Sequence, residues 1–198
     1  MNKDFVIVIQ GPIKLEYKVI ENKWEGFDLI WSTWENELID SKYPTILNKP
    51  PNKPGIKNVY YQQKSTLAGL LKAKELGYSK CLKWRSDQYP TNANKLISLF
   101  DKDKINVLFW HNSQKGYYVD YFMYGDINKM ISIWDFEINS YNSYPEEIIT
   151  NQIYKNKIDV MCIGDRLTNQ NNIIWEREGV KIDLSTYKYD KNFMLMKI

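Results

Sequence analysis

Arg85, Ser86 and Asp87 stand directly after Lys80-Cys-Leu-Lys-Trp84, a short run that reads as a buried strand. A strand that ends in an acidic residue sets a hard oxygen ligand at the mouth of a sheet. Mg²⁺ or Mn²⁺ held by one or two carboxylates, with diphosphate oxygens and water in the remaining positions, fits that arrangement. Such an ion neutralises charge on a departing nucleoside diphosphate, and Arg85 can share that task as a charge-assisted donor. A blander reading stands beside it, in which Asp87 caps a turn before Pro90 and Arg85 is a solvated surface charge. Spacing alone leaves the two open. His111, the sole histidine, follows another apparent strand and is either a contact to acceptor or phosphate or a satisfied structural residue.

These residues need elements to position them. Phe5-Val-Ile-Val-Ile9 is apolar on both faces and too short for a helix, which is how a buried parallel strand reads. Further strands are expected at Phe27–Trp31, Val59–Tyr61, Asn106–Trp110, Tyr117–Tyr124 and Asp159–Ile163. Helices are expected over Leu15–Lys23, Ser65–Leu76, Asn94–Phe100 and from Asp126 to about Trp134, with another starting near Pro145. Gly77 stops the second, Asp126 serves as the N-cap of the fourth, and Glu146 and Glu147 lie on the positive dipole end of the last. Asn48 to Lys57 is rich in Pro and reads as a loop, and the last thirty or so residues resist assignment. Strands alternating with helices through about residue 110 predict an α/β domain with a mostly parallel sheet and helices on both faces. Ligands in such sheets sit beyond the carboxyl ends of the strands. The groups to examine are therefore Gln10-Gly11-Pro12, Ser32-Thr33-Trp34, Arg85-Ser86-Asp87 and His111-Asn112.

The order of these motifs resembles the WavE lipopolysaccharide-synthesis family. The matching pieces are Ile9-Gln10-Gly11-Pro12, Ser32-Thr33-Trp34, Asn58 through Gln62 to Gly69-Leu70, Lys83-Trp84-Arg85-Ser86-Asp87 and Asp120-Tyr-Phe-Met-Tyr-Gly-Asp126, with Pro145-Glu146 beyond. They cover roughly residues 5 to 155. That family is regarded as candidate glycosyltransferases of bacterial surface polysaccharide, similar to the GT-A (nucleotide-diphospho-sugar transferase) fold. The resemblance implies one glycosyltransferase-like domain over residues 1–198, with the nucleotide handled by about 1–110 and the acceptor by about 111–198. It implies a UDP- or GDP-sugar donor, a glycan or lipid-linked acceptor, and Mn²⁺ or Mg²⁺ at Asp87. Gln10, Gly11 and Pro12 would border the nucleotide, Ser32, Thr33 and Trp34 would lie beside base or ribose, and Gln62 belongs to the same set. The chain departs from the Asp-x-Asp pattern of GT-A enzymes, because position 85 is Arg, and Tyr61 stands where a basic residue is expected. The diphosphate contact then falls to Lys64 or Arg85.

An inverting transferase needs a general base for the acceptor hydroxyl. Asp120, Asp126, Glu146 and Glu147 are the candidates. Capping explains Asp126 fully, Asp120 is unusual within an aromatic strand, and Glu146 is preferred over Asp120. A retaining mechanism would need no such base.

Composition excludes several classes. The 43% hydrophobic and 15% aromatic content argues against disorder, and a net charge of +3 without a basic stripe argues against nucleic-acid binding. Cys81 and Cys162 form no disulfide framework or CxxC knuckle. Neither a signal peptide nor a run of about 20 apolar residues is visible, so a cytoplasmic location, or one peripheral to a membrane, is expected. Two other functions compete. A sugar nucleotidyltransferase would carry a Gly-rich, Arg-containing phosphate loop where Gln10-Gly11-Pro12-Ile13 stands, and P-loop and GxGxxG motifs are also absent. In a non-catalytic carbohydrate- or nucleotide-binding module, the aromatics would stack on sugars and Asp87 would be structural.

Overall fold

The computed structural model describes residues 3–13, 17–111, 116–137, 143–165 and 173–184. The β-branched run at the start forms β1 (Lys3–Gln10), and Val6 to Ile9 are buried on both faces, as its sequence requires. Strands β2 (Leu29–Trp34), β3 (Thr45–Asn48) and β4 (Tyr78–Arg85) extend the sheet on either side of β1, all parallel. Beyond β4 come β7 (Gly116–Asp126), β6 (Ile105–His111) and β8 (Val160–Asp165), giving the order β3-β2-β1-β4-β7-β6-β8. Strand β7 is antiparallel to both β4 and β6, while β6 and β8 are parallel. One reversed strand thus sits in an otherwise parallel sheet, and the carboxyl ends of the other six open on a single edge.

Among the described residues, five α-helices cover the sheet: α1 (Tyr17–Lys23), α2 (Val59–Glu75), α3 (Ala93–Ser98), α4 (Ile127–Trp134) and α5 (Pro145–Lys155). On one face Val6, Val8, Cys81 and Met123 pack against Leu70 and Ala73 of α2, Met130 and Trp134 of α4, and Ile149 of α5. On the other, Ile7, Ile9, Leu82 and Trp84 pack against Ile20 of α1, Leu96 of α3 and a small antiparallel sheet. That sheet is ordered β5-β10-β9, from β5 (Gln88–Pro90), β9 (Ile173–Arg177) and β10 (Val180–Leu184). Helix α2 lies directly on β1 because Gly69 has no side chain, and a Cβ there would stand 2.2 Å from Val8 Cγ1. The result is a single-domain, mixed α/β fold with a mostly parallel sheet between helices.

Several expectations need correction. Val59–Tyr61 is the first turn of α2, not a strand, and the helix expected from Ser65 reaches back to Val59. Val59, Tyr60, Gln63, Thr66, Leu70 and Ala73 bury one helical stripe, and that burial overrides the strand preference of Val and Tyr. Strand β3 was not expected, and its exposed-intermediate-exposed-buried pattern shows why an edge strand left so little apolar signal. Part of the unassigned carboxyl-terminal stretch forms the β9–β10 hairpin, turned at Glu178 and Gly179 with φ of 52° and 75°. Cys81 lies in β4 and Cys162 in β8, and neither is in a disulfide. Among the described residues no helix is long and apolar enough to cross a membrane.

Candidate active site

Ser32, Gln10 and Arg85 align across β2, β1 and β4, each at or near the carboxyl end of its strand. Just beyond them two loops are stitched together. Ser86 N–H donates to the Gln10 carbonyl at 2.9 Å, Ser86 Oγ to the Pro12 carbonyl at 2.9 Å, and Gly11 N–H to the Ser32 carbonyl at 3.2 Å. Gly11 has φ +118°, and a Cβ there would meet Ser86 Oγ at 2.7 Å, so only glycine permits the closure. The segment after Asp87 is held from the other side, where β5 pairs with β10 through Gln88↔Leu184 and Pro90↔Ile182.

The structure disperses part of the expected nucleotide-binding set. Ser32 and Thr33 lie inside β2 rather than after it, and both are fully buried. Ser32 Oγ donates to the Ser65 carbonyl at 2.6 Å and accepts from Asn48 Nδ2 at 3.0 Å, while Ser65 Oγ donates to Gln10 Oε1 at 2.8 Å. This chain of polar groups fastens α2 to the sheet, satisfying groups that burial would otherwise penalise. Trp34 packs edge-to-face on Tyr61 with centroids 4.8 Å apart. Gln62 donates to the Lys57 carbonyl at 3.3 Å. Lys64 lines a separate open groove of about 580 Å³ with Leu67, Leu71 and Phe136, and that lining includes none of Arg85, Asp87, Asp120 or Glu146.

What the fold does bring together is charge. Arg85 Nε and Nη2 donate to Asp87 Oδ1 and Oδ2 at 2.9 and 2.6 Å, a bidentate fork. Arg85 Nη1 lies 3.8 Å from Asp120 Oδ2, and the guanidinium sits 5.2 Å from the centre of the Tyr121 ring. Burial opposes the Arg85 charge, but Asp87, by charge and hydrogen bond, and then Asp120 outweigh it and hold the guanidinium above its ordinary range. Asp120 arrives here through an irregularity in β7. On the β6 side Tyr124 faces Asn106 and Val119 faces Leu108, so the register slips across residues 120–123, while Phe122 and Met123 stay paired with Trp84 and Lys83 of β4. Asp120 is 2% exposed, and its Oδ2 has no hydrogen-bond partner. Asp126 caps α4, accepting from Lys129 N–H at 3.0 Å, which is the role its sequence position indicated. Glu146 and Glu147 occupy the first turn of α5. His111 closes β6, and its side chain lies outside the described residues, as does Asn112.

Lys83 belongs to the motif Lys83-Trp84-Arg85-Ser86-Asp87, but sequence reasoning assigned it no role in the site. It is fully buried, donates to the Asp120 carbonyl, and holds its ammonium 5.1 Å from the Trp134 ring centre. The signal was a lysine inside a strand otherwise read as core. Burial lowers its pKa from the ordinary 10.5 to about 8, with Asp120 opposing, Arg85 reinforcing, and Asp87 and Glu146 opposing again. Between those two values the unfolded chain binds the extra proton, so stability rises with pH across that window. We expect Lys83 to contribute up to about 3 kcal/mol of rising stability from pH 8 toward pH 10, against an opposing fall from Cys81, whose buried thiol is pushed up and stays protonated in the folded chain. Urea titrations across pH 8 to 10 are expected to give wild type a more positive dependence of stability on pH than Lys83→Met, and parallel slopes would overturn the assignment.

The Asp87 metal expectation meets a donor set that does not fit it. Both Asp87 oxygens accept from Arg85, and no group of three or more His, Cys, Asp or Glu residues converges among the described residues. A divalent ion at Asp87 would have to displace the guanidinium or share the carboxylate with it.

The sheet of the described residues, with one reversed strand, has the mixed α/β arrangement of a GT-A-like fold, as its similarity to solved structures shows. No family model matches the chain, and no curated protein matches it in sequence. Among solved structures, a protein from Desulfovibrio desulfuricans G20 described as a candidate nucleotide-diphospho-sugar transferase superposes with a TM-score of 0.55 at 9% identity, covering 83% of this chain and 81% of its own. A glycosyltransferase involved in glycosylating the major capsid of PBCV-1 gives 0.50 at 13% identity, over 81% and 82% of the two chains.

Proposed function

We propose that this chain is a glycosyltransferase that moves a sugar from a UDP- or GDP-sugar to a glycan or lipid-linked acceptor. The observation that carries the reading is the charged cluster of Arg85, Asp87, Asp120 and Lys83, set beside the stitched Gly11–Ser86 loops at the carboxyl edge of a parallel sheet. Open α/β sheets bind ligands at that edge, and the similar solved structures include one described as a candidate nucleotide-diphospho-sugar transferase and one described as a glycosyltransferase. The WavE-like motif order supports an acceptor of the surface-polysaccharide type.

In this reaction the bond between the anomeric carbon and the diphosphate oxygen breaks, and its electron pair leaves with the nucleoside diphosphate. The acceptor oxygen forms the new bond and surrenders its proton. Glu146 is the residue we assign to that proton. It is half-buried, so an acceptor can reach it, whereas Asp120 is enclosed.

The test is turnover. Purified protein is incubated with a panel of UDP- and GDP-sugars, and release of nucleoside diphosphate is followed with and without glycan acceptors. Release from one donor, including slow hydrolysis, supports the proposal. Formation of a nucleotide-sugar from a sugar 1-phosphate and a nucleoside triphosphate would assign a nucleotidyltransferase instead. Donor binding without turnover would leave a binding module.

A further inference from the structure

The arrangement of Asp87 and Asp120 about Arg85 bears on how the site handles phosphate charge, and it rests on the nucleotide-sugar reading above. Nε and Nη2 form one edge of the guanidinium and are taken by Asp87, while Asp120 faces Nη1 on the other side. The planar group therefore lies between the carboxylates, in the volume that an ion bridging them would need. Tyr121 backs the guanidinium, and the Asp87 fork fixes its plane. Lys83, which donates to the Asp120 carbonyl from within the sheet, adds a second positive charge below about pH 8, so that there Lys83 and Arg85 together offset Asp87 and Asp120. At 3.8 Å, Nη1 is too far from Asp120 for a hydrogen bond, and the Arg85 side chain is 22% exposed. Its remaining N–H groups have a route to a ligand.

We infer that Arg85 is the cation of this site: its guanidinium, in place of a divalent metal, meets the diphosphate of the donor, with Asp87 as the positioning residue that holds the fork. Charge leaving with the nucleoside diphosphate is then met by a preorganised donor that the chain itself provides. Loss of charge-assisted hydrogen bonds of this kind weakens binding by about 10–100-fold.

The experiment is calorimetric titration of UDP and of GDP into the full chain, once in EDTA and once in excess Mn²⁺. One nucleotide is expected to bind with the same affinity in both. Arg85→Met is expected to lose about 10–100-fold in EDTA, with Arg85→Lys recovering part of it. Asp87→Ala should weaken binding in EDTA, and Asp87→Glu, which restores a carboxylate for the fork, should recover most of it. Circular dichroism checks that each variant is folded. Electron paramagnetic resonance of Mn²⁺ alone gives a second readout, in which wild type is expected to leave the free-ion signal unquenched. Binding that appears only with Mn²⁺, or stoichiometric Mn²⁺ uptake lost in Asp87→Ala, would overturn the inference while the nucleotide-sugar reading stands. A folded Arg85→Met that binds as tightly as wild type would also overturn it. No binding of either nucleotide under either condition would remove both together.

Discussion

Glu146→Gln is expected to lower kcat for sugar transfer by about 10²–10⁴-fold while leaving donor affinity near the wild-type value. The substitution keeps the shape of the side chain and removes its ability to accept a proton. Glu146 stands in the first turn of α5, after Pro145, where a helix N-terminus favours negative charge. Its charge reaches Lys83, which ties it to the cluster around Arg85. Asp120 is the competing base and provides the control. It is nearly fully buried, and its Oδ2 faces the guanidinium, so Asp120→Asn is expected to disturb donor binding more than proton transfer. Steady-state kinetics with a common donor separates the two. A Glu146→Gln enzyme with wild-type kcat, beside an Asp120→Asn enzyme that has lost it, would move the role to Asp120.

Trp84→Ala is expected to destabilise the fold by about 3–5 kcal/mol, with a fall in Tm of about 10 °C or more. Trp84 is fully buried, stacks on Phe122 at 5.8 Å and meets Trp24 edge-on at 4.9 Å. Alanine would leave a cavity that these rigid rings cannot close. The indole also reaches the candidate site, because its N–H donates to the Gln88 carbonyl at 2.9 Å, one residue past Asp87. Trp84→Phe keeps much of the ring packing and removes the indole donor to that carbonyl, at an expected cost of about 1 kcal/mol. If the indole N–H helps hold the Asp87 segment, Trp84→Phe should also weaken nucleotide binding. Differential scanning calorimetry and nucleotide titration on both variants would check this, and a Trp84→Phe protein equal to wild type in both would sink that link between core and site.

The parts of this molecule that could be read residue by residue were those whose physics is local. The apolar run at β1, the glycine stop after α2, the Asp126 cap and the acidic first turn of α5 each follow from neighbours within a few positions. The α/β class and the placement of Arg85-Ser86-Asp87 at a strand end followed from the same kind of information. Strand β3 was not legible, because an edge strand needs only part of its length to be apolar. Nor was β5, a three-residue strand that exists only through its pairing with β10, nearly a hundred positions away along the chain.

The sequence by itself determined that a sheet edge would present Gln10, Arg85 and Asp87, since short apolar runs ending in polar residues leave few other ways to be buried. Only the tertiary structure decided what those residues do there. It turned Ser32 and Gln10 inward to hold α2, because buried polar groups must find partners wherever packing puts them. It also closed Arg85 onto Asp87 and, through the slip in β7, carried Asp120 to the other side of the guanidinium. Lys83, the irregular residues of β7 and the start of α5 are far apart in sequence, and no local pattern encodes their meeting. Long-range strand pairing and helix packing bring them together, and the low dielectric of the interior then makes each charge depend on the others.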